Sequence, residues 1–230
     1  VAALNVAHGS PVPVADDCDG TLAEAQRLLR SHAAQRRTTC ETDQLVRAAR
    51  DLAEVAQADL IIEAIAERLR VKRRFFGTLA ARLRPDAIVA SNTSSIPLGQ
   101  MSSCLPDPAR FCGLHFCYPV QRRPLVEVVR SGQTSDETIA AAVRYAEKLG
   151  KHPLIVRDRP GFVVNRLLVP YLNEALELIA EGAQVADVER AAVAFGMPIG
   201  PLHQLDQFGI DIALQTGATL FKAFPERIVA

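Results

Sequence analysis

The sequence lacks the features by which several classes of protein are recognised. Its 26 Lys and Arg residues balance 26 Asp and Glu residues, so the formal net charge is 0 and no overall field favours nucleic acid or an anionic membrane. No apolar run approaches the roughly 18 to 20 residues that a membrane-spanning helix needs. A glycine-rich GxGxxG turn is also missing. We therefore expect a small-molecule partner, and neither nucleic acid nor a membrane.

Cysteine is scarce and shows no metal-binding or disulfide spacing. There are five cysteines, with no CxxC pair: Cys18, Cys40, Cys104, Cys112 and Cys117. An odd number with this spacing fits reduced thiols better than a disulfide framework or a zinc site. The opening residues, VAALNVAHGSP, lack the basic region and long apolar stretch of a signal peptide. The sequence thus predicts a cytoplasmic protein without a metal site.

The chain does contain enough apolar residues, 49% of 230, for one large domain or two modest ones. Over its first two thirds, short β-branched runs alternate with amphipathic stretches, which is typical of a Rossmann-like, doubly wound α/β sheet. The predicted strands are residues 11–16, 59–64, 87–91, 111–116, 125–129 and 153–157. The predicted helices are residues 22–34, 42–54, 68–83 and 135–149.

The pattern changes after residue 160, where the predicted strands end. Three helical stretches follow, over residues 161–180, 186–194 and 206–224. We predict an α/β domain over residues 1–158 and a smaller all-α domain over residues 159–230.

A histidine and a glutamate lie in two successive predicted strands. His115 is in FCGLHF and Glu127 is in LVEVV, with a QRRP turn between the two runs. If the strands are adjacent, Glu127 lies on an apolar face and needs a partner, because burying an unpaired carboxylate costs several kcal/mol. A pair with His115 would fix the imidazole tautomer and make the other ring nitrogen a general base. The alternative is a structural histidine and a solvent-facing glutamate, and spacing alone favours it.

A run of small polar residues, SNTSS at residues 91–95, directly follows the predicted strand AIVA. The carboxyl ends of parallel strands are where open α/β sheets bind ligands. Ser94 or Ser95 could equally cap the helix expected from Pro97. The run alone favours the capping role.

Two further polar residues have both a functional and an ordinary interpretation. Asn165 lies on the same helical stripe as Leu168 and Leu172, and its buried amide needs a partner, either in neighbouring backbone or across the domain boundary in a cleft. Asp16 ends the run PVPVA, and in a dinucleotide-binding sheet an acidic residue at the end of the second strand binds the adenosine ribose of NAD. A plain acidic turn is the alternative for Asp16.

Together these segments resemble the L-3-hydroxyacyl-CoA dehydrogenase family, from about Gly9 to Phe224. The most specific segment is DRPGFVVNRLLVPYL, residues 158–172, which is similar to the family signature at Asp158, Gly161, Phe162, Asn165, Arg166 and Pro170. Supporting segments are IIEAIAE with LRVK, ASNTSS, GLHF, PLVEVV, GMPIGP and LDQFGID.

The resemblance implies an enzyme of fatty-acid β-oxidation that oxidises an L-3-hydroxyacyl-CoA to the 3-oxoacyl-CoA with NAD. His115 would be the general base and Glu127 would orient it. Ser94 would hydrogen-bond the substrate oxygen, and Asn165 would reach from the helical domain into the cleft.

The resemblance also implies the cofactor site. Glu67, Lys72 and Asn92 would line its nicotinamide half, and Asp16 would bind the adenosine ribose. No residue is assigned to coenzyme A, because the segment between Asp16 and Ala58 lacks the family's lysine-rich helix.

The chain also departs from the family pattern at Tyr118, which stands where the family commonly has Asn. The first strand with its glycine-rich turn is missing, as is the expected tail, so we expect a chain incomplete at both ends. The ending KAFPERIVA resembles multifunctional β-oxidation proteins, which implies fusion to or a complex with enoyl-CoA hydratase.

Apolar stretches at residues 176–179 and 210–214 predict a homodimer through the helical domain. The alternatives are a non-catalytic or truncated scaffold of the same fold and a related NAD-dependent dehydrogenase of small hydroxy acids.

Overall fold

The computed structural model describes residues 12–16, 23–24, 27, 46–49 and 51–227. The chain divides into two compact units. The first unit comprises Val1–Thr93 with Leu98–Arg157, and the second comprises Ser94–Pro97 with Asp158–Ala230. The first unit is α/β and the second is helical.

Most strands of the first unit form one five-stranded sheet, in the order β3-β4-β5-β6-β7. These strands are β3 (Leu60–Glu63), β4 (Ile88–Ser91), β5 (Phe111–Phe116), β6 (Leu125–Arg130) and β7 (His152–Arg157). Neighbouring strands are parallel except β5 and β6, which are antiparallel. A separate parallel pair joins β1 (Val12–Val14) to β2 (Val46–Ala48). The prediction of a parallel-dominated α/β sheet is confirmed.

In residues 51–157, these strands are connected or covered by the α-helices α1 (Leu52–Val55), α2 (Leu69–Ala80), α3 (Gly99–Ser102) and α4 (Asp136–Lys148). The helix α4 begins where predicted, because the Ser135 hydroxyl accepts a hydrogen bond from the Thr138 N–H. It ends before Gly150, whose φ of 69° lies in the left-handed region. Its apolar side packs with β5 and β6 into the core of the unit.

One predicted helix, over residues 42–54, is wrong. Residues 46–48 are strand β2, and only Leu52–Val55 are helical in this part of the described chain. Pairing with β1 supplies the backbone of β2 with hydrogen bonds that local propensity does not anticipate. Of the predicted helix 22–34, the described residues Ala23, Glu24 and Arg27 are helical, and the remainder lies outside the described residues.

The second unit contains α5 (Val164–Ala180), α6 (Val185–Phe195), α7 (Pro201–Phe208) and α8 (Ile210–Ala223). The single helix predicted over residues 206–224 is wrong, since the segment contains two helices that meet at Gly209. Gly209 has a φ of 89°, which a continuous α-helix excludes. Pro201 starts α7 at a position where its missing N–H costs nothing. Across the described residues, no helix combines the length and apolar character needed to cross a membrane.

Candidate active site

The strands β5 and β6 bring two chemically active side chains together. Their antiparallel register places His115 directly opposite Glu127, so both side chains lie on the same face of the sheet. Two positions earlier on β5, Gly113 lies opposite Val129, and a Cβ on Gly113 would be 2.7 Å from the Val129 Cβ. The GLHF segment therefore needs glycine at its first position for the two strands to pair this closely.

The two side chains form a buried hydrogen bond. The distance from His115 Nδ1 to Glu127 Oε2 is 2.7 Å, and the residues are 6% and 0% exposed. A carboxylate accepts only, so we assign the proton of a neutral imidazole to Nδ1, which leaves Nε2 as a proton acceptor. The predicted pairing of these two side chains is thus present, and the arrangement suits a general base held in one tautomer.

Cys117 follows β5 and is half-buried beside this pair. Burial, and secondarily the Glu127 carboxylate, raise the pKa of its thiol to about 11, although Arg123 and Lys151 act in the opposite direction. The turn after Cys117 is held by Lys151, whose ammonium donates to the carbonyls of Val120 and Arg123 at 2.5 and 2.7 Å.

A second buried polar cluster lies at the carboxyl end of β3. Glu63 is 2% exposed and accepts hydrogen bonds from Lys72 Nζ at 2.6 Å, from Ser91 Oγ at 2.7 Å and from the Ile65 N–H at 2.7 Å. Lys72 lies on the buried stripe of α2, is 1% exposed and also pairs with Glu67 at 3.2 Å. The cluster thus holds one ammonium between two carboxylates, with both members of the Glu63–Lys72 pair out of water.

Glu67 and Asn92 are fixed by bonds at the ends of neighbouring strands. Glu67 accepts a hydrogen bond from Thr93 Oγ1 at 2.5 Å, and its side chain keeps 25% exposure. The Asn92 side-chain oxygen accepts from the Phe116 N–H at 2.9 Å, and the Asn92 backbone N–H donates to the Glu63 carbonyl. Because β3, β4 and β5 are parallel, these groups share the sheet edge at which His115 lies.

Asp16, the predicted ribose ligand, is exposed two residues beyond the end of β1. Its role as a ribose ligand stays a prediction. Tyr118 is 58% exposed and precedes a cis peptide bond to Pro119.

In the second unit, Asn165 and Ser94 are in contact. The Asn165 side-chain amide in the first turn of α5 donates to the Ser94 carbonyl oxygen at 3.0 Å. This partner is 71 residues away in sequence, so bonding to neighbouring backbone does not explain the amide. The catalytic roles of Asn165 and of the Ser94 hydroxyl stay predictions.

Other residues of the DRPGFVVNR segment have structural roles in the same unit. Gly161 has a φ of 69°, and a Cβ there would lie 2.6 Å from the buried side chain of Leu220. The Arg166 guanidinium lies 4.4 Å from the centre of the Phe224 ring, a cation–π contact. These contacts explain why the segment needs glycine and arginine at those positions.

Sequence reasoning missed two residues of the first unit, Glu63 and Cys117. For Glu63 a signal existed, since an acidic residue shares the face of Ile61 at the end of the buried run LIIE. For Cys117 the signal was its spacing of two from His115, which places both side chains on one side of an extended chain.

Comparison with known proteins gives matches along the chain. The NAD binding domain of 3-hydroxyacyl-CoA dehydrogenase matches residues 1–159, and the C-terminal domain of 3-hydroxyacyl-CoA dehydrogenase matches residues 161–230. FadB2 of M. tuberculosis is 35% identical, with a TM-score of 0.91 over 98% of this chain and 84% of its own. The (S)-3-hydroxybutyryl-CoA dehydrogenase PaaH1 of Ralstonia eutropha is 30% identical, with a TM-score of 0.89 over 98% and 83%.

A third structure, the 3-hydroxybutyryl-CoA dehydrogenase of Escherichia coli K12, is 32% identical with a TM-score of 0.86. The match covers 98% of this chain and 50% of that one. The matched domain identifies NAD as the cofactor and the chain as an oxidoreductase. The chain belongs to the 3-hydroxyacyl-CoA dehydrogenase family.

Proposed function

We propose that this chain oxidises the hydroxyl of an L-3-hydroxyacyl-CoA to the 3-oxoacyl-CoA, with His115 as the general base. His115 Nε2 would take the proton of the C3 hydroxyl, and the Glu127 carboxylate would stabilise the imidazolium that forms. The observation that supports this most directly is the 2.7 Å bond between His115 Nδ1 and a carboxylate that is 0% exposed. A bond of this kind orients the ring and directs Nε2 to proton transfer.

The hydrogen-bond donors and acceptors at the strand ends are of the types that bind NAD. Carboxylates at Asp16 and Glu67 can accept hydrogen bonds from ribose hydroxyls, and Asn92 offers an amide on the same sheet edge as Glu67. Lys72 is enclosed by contacts with its own chain. We therefore infer that Lys72 positions the Glu67 carboxylate. When bound, NAD supplies the acceptor for the hydride from C3.

The resemblance to the family assigns two further roles. Ser94 would donate its hydroxyl proton to the substrate oxygen, and Asn165, which holds the Ser94 carbonyl, would position that segment. The acyl-CoA substrate is supported by the similar proteins, two of which are 3-hydroxybutyryl-CoA dehydrogenases.

The test is His115→Gln, assayed by NADH consumption with acetoacetyl-CoA. Glutamine keeps a polar side chain but cannot act as a base, so kcat should fall by about 10²- to 10⁴-fold. The matched control is His152→Gln, an exposed histidine on β7, which should keep wild-type activity.

Titration calorimetry with NAD accompanies the assay, because His115→Gln should still bind the cofactor. Less than a tenfold loss of kcat in His115→Gln would contradict the role of this residue. Flat heats with NAD and no activity in the wild type would favour a non-catalytic scaffold. Activity with free acetoacetate alone would favour a small hydroxy-acid dehydrogenase.

The second proposal concerns assembly: we infer that a second copy of the chain covers apolar residues of the helical unit. In the two stretches at residues 176–179 and 210–214, five large apolar side chains are 40–68% exposed: Leu176, Leu178, Ile210, Ile212 and Leu214. Exposed large apolar side chains in this number are a feature of protein–protein contact surfaces. The predicted hydratase partner and cytoplasmic location stay predictions.

Light scattering should therefore give twice the chain mass of 24.9 kDa. Leu214→Asp, which places a charge among these side chains, should shift the mass towards 24.9 kDa. Ile155→Asp, an exposed apolar position on β7, is the matched control and should leave the dimer intact. A wild-type monomer, or a dimer unaffected by Leu214→Asp, would refute this interface.

A further inference from the structure

A thiol, an imidazole and a carboxylate converge beside β5. One ligand atom each from His115, Cys117 and Glu127 lies within 4.8 Å of the other two. The convergence follows from strand geometry, since Cys117 is two residues after His115 and Glu127 is opposite His115 in the register. This convergence cannot be recognised from CxxC spacing, because its ligands come from two separate parts of the chain, at β5 and at β6.

The donor set suits zinc better than the harder divalent cations. Zinc takes a thiolate, an imidazole nitrogen and a carboxylate at about 2.0–2.3 Å, whereas magnesium and calcium prefer oxygen ligands alone. Three protein ligands with a free fourth position is a common arrangement in proteins. One thiolate and one carboxylate also neutralise a divalent ion, which lowers the cost of holding it in a mostly buried position.

We propose that His115, Cys117 and Glu127 form a zinc-binding site. His115 Nδ1, Cys117 Sγ and a Glu127 oxygen each form one bond to the ion. The imidazole proton moves through solvent from Nδ1 to Nε2, the thiol proton leaves to solvent, and nothing is oxidised or reduced. Tetrahedral ligands lie roughly 3.3–3.7 Å apart, so the 2.7 Å His115–Glu127 contact must open slightly and the thiol must move inward.

Bound zinc would switch off the base, a consequence that rests on the proposed function. A neutral imidazole bonded to metal through Nδ1 carries its proton on Nε2. His115 then has no nitrogen free to accept the proton of a substrate hydroxyl. Zinc should therefore inhibit the dehydrogenase reversibly, and a chelator should restore its activity.

The binding test uses cobalt(II) as a spectroscopic substitute for zinc in chelator-treated protein. Wild type should show thiolate-to-cobalt charge-transfer absorption that saturates at one equivalent and disappears when zinc is added. Cys117→Ser should lack this absorption, with Cys117→Ala as a second variant and far-UV circular dichroism confirming the fold of both. The matched control is Cys104→Ser, another half-buried cysteine, which should bind as wild type does. The same titration in a Cys18→Ser/Cys40→Ser background removes two other thiols from consideration.

A wild type without the absorption, or an unchanged absorption in Cys117→Ser, would overturn the site. In the activity test, zinc should inhibit Cys117→Ser at least roughly tenfold more weakly than wild type, since even the loss of a group that only hydrogen-bonds a metal ligand costs about tenfold in metal affinity. Equal inhibition of the two proteins would overturn the proposed switch. An inactive wild type would count against the proposed function alone, because the cobalt spectrum decides the metal site independently.

Discussion

The Glu63–Lys72 pair allows a quantitative prediction about the stability of the first unit. Both side chains are at most 1% exposed, and the two charges are 2.6 Å apart. Removing one partner of a buried pair costs about 3–5 kcal/mol, because the other charge stays buried without compensation. In Glu63→Gln, the Lys72 ammonium keeps Glu67 at 3.2 Å, so we expect the lower end, about 3 kcal/mol.

Urea unfolding followed by far-UV circular dichroism measures the loss. With a denaturant dependence of about 2 kcal/mol/M, the midpoint should fall by about 1.5 M. The matched control is Asp59→Asn, since Asp59 pairs with Arg84 at 3.0 Å but is 92% exposed, and its midpoint should stay at the wild-type value.

A double-mutant cycle measures the interaction energy between Glu63 and Lys72 separately from their contacts with other residues. Lys72→Met alone leaves the Glu63 carboxylate buried, whereas Glu63→Gln with Lys72→Met removes both charges. The double variant should therefore lose at least about 2 kcal/mol less than the sum of the single variants. Additive losses, or a Glu63→Gln midpoint within experimental error of wild type, would refute the assignment of a buried ion pair.

The remaining predictions concern the two thiols near β5. Burial raises the pKa of Cys117 to about 11, so only about 0.1% of this thiol is thiolate at pH 8. Its alkylation by iodoacetamide should therefore be about 100-fold slower than that of a thiol with the ordinary pKa of 9.0. The rate, followed by peptide mass spectrometry, should rise about tenfold per pH unit from pH 8 to 10, and a plateau below pH 9 would contradict the raised pKa. Cys112 has a pKa raised to about 12 by burial and is 0% exposed, so it should react only when urea unfolds the chain. Labelling of native Cys112 in step with Cys117 would contradict its buried position.

The strands of the large sheet could be predicted from the sequence because their β-branched runs are bounded by turns and charged helices. Observed and predicted limits of β5 coincide at Phe111–Phe116, and the other four strands of this sheet differ by at most one residue at each end. The segment containing β2 could not be predicted, because its strand depends on pairing with residues 12–14, more than 30 positions earlier.

The hydrogen-bond partners of buried polar residues could not be predicted from the sequence either. The Asn165 amide finds its acceptor at Ser94, and Glu63 receives a hydroxyl from Ser91, 28 positions later. Such bonds depend on which strands are neighbours and which helix packs where. Periodicity shows that a polar residue lies on a buried face, and hence that it needs a partner, but it does not show which one.

The pairing of His115 with Glu127 depends on the length of one connection. Only residues 117–124 separate β5 from β6, which is too short for the crossover of a dozen or more residues that parallel neighbours need. The strand β6 must therefore return antiparallel, and this brings its first half beside the second half of β5, at the edge where the other parallel strands end. A parallel β6 would have placed its last residues there instead, with Glu127 displaced from His115. The same short return carries Cys117 past the end of β5 on the face of His115, so one change of strand direction accounts for both the proposed base and the proposed metal site.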